Sequence, residues 1–194
     1  LVQTADAAVE AGSEIGYPVV LKADVTGMPH KTEAGLVKLG LDDEAAVRAA
    51  YDEVTSNAAN AGAGMNGVLV QEMVADAVEV IVGVSYDSQL GATILFGSGG
   101  VMVEVYNDVS LRLCPIDESD ALEMIAEVKG ARLLEGFRGQ PAADIAALAD
   151  TLVRVSQLGA QLEGSLAELD INPLMVLPTG QGVRAADAVA IFQP

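Results

Sequence analysis

Positive charge in this chain is concentrated in one short stretch. Three of its four lysines, Lys22, Lys31 and Lys38, fall between Pro18 and Leu41, which holds only two acids, Asp24 and Glu33, in a chain of formal charge -18. Such a cationic island reads either as an anion site, with lysines and the amides around Gly27 and Gly35 donating to phosphate, or as lysines paired with surface acids. His30, the only histidine, lies at its centre in Met28-Pro29-His30-Lys31-Thr32-Glu33. Its imidazole could carry a proton, ligate a metal or accept a phosphoryl group, with Lys31 balancing incoming charge; the plain alternative is a solvated loop histidine.

The carboxylates offer a second set of candidates. Glu72 and Glu79 stand seven residues apart. The end of Gln71-Glu72-Met73-Val74 could present backbone groups to an adenine edge while Glu79 holds two ribose hydroxyls, or both acids lie on the solvent face of a hairpin. Gly97-Ser98-Gly99-Gly100 is a sharp turn, either an anion nest or a hairpin turn. Glu104, Asp108 and Arg112 recur every fourth residue, yet Val103, Val105 and Val109 point to extended chain, so the spacing gives no common face. Arg112 either stabilises transferring phosphoryl charge or forms an ordinary ion pair. In Glu168-Leu169-Asp170-Ile171-Asn172-Pro173, strand alternation puts Asp170 and Asn172 on one side as hard oxygen ligands suited to a magnesium that bridges nucleotide phosphates. Asp187, in the next strand, could reach the same ion. The competing reading of Asn172-Pro173 is a turn stop.

These residues need elements to position them. Apolar spacing over 1–14 predicts a helix, then a turn at Gly16-Tyr17-Pro18 and a strand through Val19-Val20-Leu21-Lys22. A long polar loop follows, then a strand over 36–41 and a helix capped by Asp42 and running to about Asn60. Strands are expected over 67–74, 78–86, 90–96 and 101–106, and a helix from Asp117 or Ser119. Pro141 suits the first turn of a helix through Ile145, Leu148, Leu152, Val155 and Leu158, and two strands, 167–177 and 183–192, close the chain. Without regular βαβ alternation the fold class is α+β, in two lobes, rather than a doubly wound sheet.

Composition narrows the function. A pI near 4.1 argues against nucleic acid as a partner, since a polyanion would be repelled. The apolar fraction of 51% is too high for a disordered acidic chain, and no stretch approaches the roughly 18 consecutive apolar residues of a membrane span. The single Cys114 excludes an internal disulfide and a multi-cysteine zinc site, and no signal-peptide pattern opens the chain, so a cytoplasmic setting is expected. The start at Leu1, without Met, suggests part of a longer protein.

Taken together, the segments resemble the ATP-grasp domain, the β-type portion, of the ADP-forming (NDP-forming) acyl-CoA synthetases, relatives of the succinyl-CoA synthetase β subunit. The resemblance rests on Gly16-Tyr17-Pro18-Val19-Val20-Leu21-Lys22, His30-Lys31-Thr32-Glu33-Ala34-Gly35, Val70-Gln71-Glu72-Met73-Val74 and Phe96-Gly97-Ser98-Gly99-Gly100 with Glu104 and Asp108. Leu134-Glu135-Gly136-Phe137-Arg138-Gly139 and Glu168-Leu169-Asp170-Ile171-Asn172-Pro173-Leu174 complete it, in order over nearly the whole chain.

The resemblance implies two α+β lobes with the nucleotide site between them: an N-terminal lobe over 1–74, shortened at its start and carrying the phosphohistidine loop 23–35, and a C-terminal lobe over 75–194 with the magnesium-binding strands. It implies ATP/ADP and Mg²⁺ as cofactors, Lys22 on the phosphates, Glu72 with the Met73 and Val74 backbone on adenine, and Glu79 on the ribose. Asp170 and Asn172 would bind magnesium with Asp187 as a further ligand, and His30, beside Lys31, would carry the phosphoryl group. The implied reaction interconverts acyl-CoA, ADP and phosphate with free acid, CoA and ATP. Its implied partner is a CoA-binding α-type subunit or domain, absent from this chain; oligomeric state is left open. Two departures stand out. Gly35 is followed by Leu36 rather than a second glycine, and Thr26-Gly27 replaces the Ser-Pro usual ahead of the histidine. The competing function is a nucleotide-sensing regulatory domain, as in an acetyltransferase fusion.

Overall fold

The computed structural model describes residues 1–25, 34–62, 64–99, 108–136 and 139–193. Most of the loop expected over 23–35, with His30 and Lys31, and the strand expected over 101–106 lie outside the described residues. The chain divides into two compact units, Leu1–Ala75 and Asp76–Pro194.

The first unit is a three-stranded antiparallel sheet, in the order β2-β1-β3, with two helices on one face. Helix α1 (Ala5–Ile15) starts at Thr4, whose side chain accepts the Ala7 N–H, and stops at Gly16, held at φ +94°. Strand β1 (Val19–Val25) is central, between β2 (Val37–Leu41) and β3 (Met65–Glu72). Between β2 and β3 runs α2 (Glu44–Asn60), which buries Val47, Ala50, Tyr51, Val54 and Ala58 at helical spacing. Asp43, not the expected Asp42, caps it: the Asp43 carboxylate accepts the Ala46 N–H at 2.8 Å and its carbonyl accepts the Val47 N–H. Where the buried stripe begins, at Val47, decides which of two adjacent acids can cap.

The second unit is an antiparallel sheet in the order β6-β5-β4-β7-β8, with β9 also on β7. Its strands are β4 (Val78–Asp87), β5 (Gly91–Ser98), β6 (Val109–Leu113), β7 (Leu166–Val176), β8 (Val183–Ala185) and β9 (Ala188–Phe192). Helices α3 (Glu118–Glu127) and α4 (Ile145–Gln161) and a 3-10 turn (Lys129–Leu133) cover one face, enclosing Val80, Val82, Val84, Ile94, Phe96, Met124, Leu148 and Leu152. Asp117 opens α3 with a capping box. Helix α4 starts later than Pro141 suggests, because Asp144 caps it on Ala147 and also accepts the amides of Gly180 and Gly182. No helix among the described residues is long and apolar enough to cross a membrane.

The strand expected over 183–192 is two strands, and the cause lies across the sheet. Val80 pairs with Leu174 and Val82 with Ile171, so Ile81 alone faces both Asn172 and Pro173, a β-bulge in β7. Opposite that bulge the partner strand breaks: the Asn172 N–H donates to the Asp187 carbonyl and the Ala186 N–H to the Pro173 carbonyl, with β8 on one side and β9 on the other.

Candidate functional site

In the second unit the helices among the described residues pack on one sheet face and leave the other open, and the acids of β7 stand on that other face. Leu169 and Ile171 pack against the helix-covered core, so period two sends Glu168, Asp170 and Asn172 to the open side. Asp187, across from Asn172, shares that side. Its carboxylate accepts the Ala188 N–H at 3.0 Å. Asp170 is half-buried, and burial, followed by the negative charges of Glu168 and Asp187, raises its pKa above the ordinary carboxylate range. A carboxyl held up by its own neighbours is one that a cation would relieve. The donors are all oxygen, which suits magnesium, and Asp170 with Asn172 could supply the one or two protein ligands such an ion takes beside phosphate oxygens. Among the described residues no three His, Cys, Asp or Glu side chains converge on one metal position, and the Asp187 charge acts on Asp170 from across the strand pair. Glu168, two residues before Asp170, is the neighbour that sequence reasoning left without a role, although the same alternation places it there.

In the first unit, Leu21, Ala23 and Val25 face the helices, which puts half-buried Lys22 on the opposite face with its cross-strand neighbours Val37 and Leu69. Glu72 ends β3 opposite Val19, on the helix side, and is exposed. The structure therefore puts Lys22 and Glu72 on different faces of the same sheet. The Met73 N–H donates to the Pro18 carbonyl at 3.2 Å, which pins the chain just beyond β3 to the start of β1. Of the lysines in the cationic stretch, Lys38 forms an ion pair with Glu53 of α2.

Glu79, on β4, is exposed and lies on the open face, between the core-facing Val78 and Val80 and opposite Met175. Its carbonyl accepts the Gly99 N–H at 2.9 Å. A Cβ on Gly99 would stand 2.5 Å from both the carbonyl carbon and oxygen of Glu79, so only glycine allows this approach. Asp108, just before β6, accepts the amides of Lys129 at 3.0 Å and Gly130 at 2.8 Å and faces the Ser98 hydroxyl at 3.4 Å. Burial pushes its pKa up, but those two amides, the Lys129 charge and the Ser98 hydroxyl outweigh it and hold the carboxyl low.

Arg112 is engaged within its own unit. Its guanidinium binds Glu127 bidentately, at 2.5 and 3.1 Å, lies 4.0 Å from Glu123, and donates to Ser110. Glu127, first and most strongly, raises the Arg112 pKa, and Arg112 in turn lowers that of Glu127. Of the two sequence readings of Arg112, the ion pair is the one present in this geometry; it joins β6 to α3.

A family model described as an ATP-grasp domain matches residues 1–191. The chain is 38% identical, over 195 residues, to the Pyrococcus furiosus protein named acetate–CoA ligase [ADP-forming] II subunit beta, covering 100% of this chain and 83% of that one. It superposes with a TM-score of 0.93, at 42% identity, on acetyl-coenzyme A synthetase 1 of Ca. Korarchaeum cryptofilum in complex with coenzyme A, Ca-AMPCP and HgCl+, covering 100% of this chain and 84% of that one. A second structure of that synthetase, with coenzyme A and Mg-AMPPCP and its phosphohistidine segment pointing towards the nucleotide-binding site, gives a TM-score of 0.82 at 41% identity over 97% of this chain and 82% of that one. Longer curated ligases are matched over only 26–27% of their own length.

Proposed function

The chain belongs to the ATP-grasp domain family, and on that premise we propose that it is the nucleotide-binding and phosphoryl-transfer module of an ADP-forming acyl-CoA synthetase. The observation that carries this reading is the acidic face of the second unit, where Asp170, half-buried and flanked by the charges of Glu168 and Asp187, is held up first by burial and then by those charges and is thus suited to a cation that arrives with nucleotide. The ligase names of the relatives favour catalysis over a nucleotide-sensing role.

Each residue has a physical task in this reading. Lys22 neutralises phosphate charge. Past Glu72, the Met73 carbonyl and the Val74 amide meet the adenine edge, since the Met73 amide is committed to Pro18. Glu79 accepts from two ribose hydroxyls. Asp170 and Asn172 would hold Mg²⁺, with Asp187 as a further ligand and Glu168 adding negative charge; the ion, when bound, neutralises charge on the phosphoryl oxygens. An imidazole nitrogen of His30 attacks the γ-phosphorus, the bond to the bridging oxygen of ADP breaks, and ADP leaves with those electrons; the reverse step makes ATP. Lys31 balances the phosphoryl charge on the histidine. Transfer of this kind asks for placement and charge balance more than for covalent chemistry from the protein. Coenzyme A chemistry then belongs to an α-type subunit or domain that accepts the phosphoryl group.

The test is labelling. Protein incubated with γ-labelled ATP and Mg²⁺ is expected to retain acid-labile, base-stable label, and His30→Ala to lose it while still binding nucleotide. Tight nucleotide binding with no label in the wild type would instead favour the sensing role.

A further inference from the structure

Three elements meet at Ser98 and Gly99, the end of β5. From one side the Gly99 amide donates to the Glu79 carbonyl, at a separation no larger residue would tolerate. From the other side Gly130 presses on Ser98 so closely that a Cβ on Gly130 would lie 2.5 Å from the Ser98 Cβ. Asp108 holds that second contact together, because one carboxylate accepts the amides of Lys129 and Gly130 and faces the Ser98 hydroxyl. Glu79, Ser98, Gly99 and Gly130 line one small apolar cleft with Phe96 and Leu134. A displacement at Asp108 therefore has a short mechanical route to the backbone that carries the Glu79 side chain, through Gly130, Ser98 and Gly99.

We infer that Asp108 is a positioning residue for the nucleotide site, clamping the Ser98–Gly99 end of β5 against Glu79 so that the Glu79 carboxylate stands where ribose hydroxyls are held. The inference rests on the reading of Glu79 as the ribose ligand. Asp108 touches neither nucleotide nor phosphate in this scheme. It acts through two glycines whose missing side chains let three backbones close to contact, and a charged acceptor with two amide donors is stiffer than a neutral one. Asp108→Asn keeps the size but turns an N–H₂ toward donors, so one of the two amides loses its acceptor.

The experiment compares Mg·ADP with Mg·2′,3′-dideoxy-ADP by titration calorimetry on the full chain, for the wild type, Glu79→Gln, Asp108→Asn and Ser98→Ala, with a thermal melt of each. General loosening weakens both nucleotides alike, so the ratio of the two affinities reports on the Glu79 carboxylate alone. The wild type is expected to prefer ADP by about tenfold or more, as sites built around substrate hydroxyls do. Glu79→Gln should abolish most of that preference, and Asp108→Asn should narrow it at least about threefold in a folded protein. Ser98→Ala, which removes one hydrogen bond without adding volume, should narrow it less in the same direction, and it decides the matter if Asp108→Asn does not fold. Preference lost in Glu79→Gln but unchanged in both Asp108→Asn and Ser98→Ala overturns the inference and leaves the ribose reading standing. A wild type indifferent to the ribose hydroxyls overturns both.

Discussion

Gly99→Ala is expected to damage stability and nucleotide binding together. The new methyl carbon would start 2.5 Å from the backbone carbon and oxygen of Glu79 and 2.8 Å from its Cβ. Ordinary contact begins near 3.4 Å, so two strands must part by nearly an ångström, and the obstacle is backbone, which cannot swing aside. Overpacking of this kind costs about 1–3 kcal/mol, and stretching the 2.9 Å Gly99–Glu79 hydrogen bond adds about 1 kcal/mol. A total of about 2–4 kcal/mol lowers Tm by roughly 4–16 °C in a chain of this size. Because Glu79 is the atom group displaced, Mg·ADP affinity should fall by about tenfold or more in the material that remains folded, about 1.4 kcal/mol of binding. Differential scanning calorimetry and isothermal titration calorimetry read the two effects. Gly64→Ala is the control, since a Cβ there meets nothing within 4 Å; its Tm should stay within about 2 °C of the wild type. A Gly99→Ala protein as stable as that control, with unchanged ADP affinity, would refute the argument from close approach.

Asp170→Asn should raise Tm in the absence of divalent cation at neutral pH while weakening Mg·nucleotide binding. The sign follows from linkage: the folded carboxyl titrates above its unfolded value, so wild-type stability falls as pH rises through that window and the variant's advantage disappears below it; melts from pH 3.5 to 7.5 measure this. Lys22→Ala should raise the Kd for Mg·ADP about tenfold or more without changing the fold, read by titration and circular dichroism. Glu127→Gln should lower Tm modestly yet leave the histidine label intact, because the Arg112 pair joins β6 to α3; loss of labelling in a folded protein would return Arg112 to the transfer step. Cys114, half-buried with its thiol pushed up to about 11, should react with iodoacetamide at neutral pH far more slowly in the native protein than in guanidinium, followed by mass spectrometry.

Much of this architecture is legible in local pattern. The α+β class, the strands at Val19–Val25 and Val78–Asp87 and the common side of Asp170 and Asn172 follow from periods of two and 3.6 that a reader can count. What the sequence hides is set by distant partners. The break between β8 and β9 is dictated by a bulge in β7, ten or more residues away in sequence, and nothing in Val183–Phe192 announces it. Asp144 supersedes Pro141 at the start of α4 because it also satisfies the amides of Gly180 and Gly182, which lie beyond the helix in sequence. Asp108 and Arg112 do share a face, contrary to the sequence expectation, because a period of two in extended chain puts residues four apart on one side: Arg112 stands opposite the core residue Ile94 and Asp108 beside Ser98, and their partners, Glu127 and the Lys129–Gly130 amides, come from a later helix and turn that cover that side. Glu168 gains its influence on Asp170 only once one side of the sheet is known to be left bare.

That bulge also separates what the sheet requires from what the site requires. Just before it, Leu169 and Ile171 point into the core; after it, Leu174 and Val176 do. The strand spends two residues, Asn172 and Pro173, where its neighbour spends one, so the ladder with β4 contains a supernumerary rung. Removing Asn172 would restore strict alternation from Leu169 to Val176, with Leu169, Ile171, Leu174 and Val176 still facing inward. The fold could spare that position; the oxygen proposed to hold a cation is what would disappear.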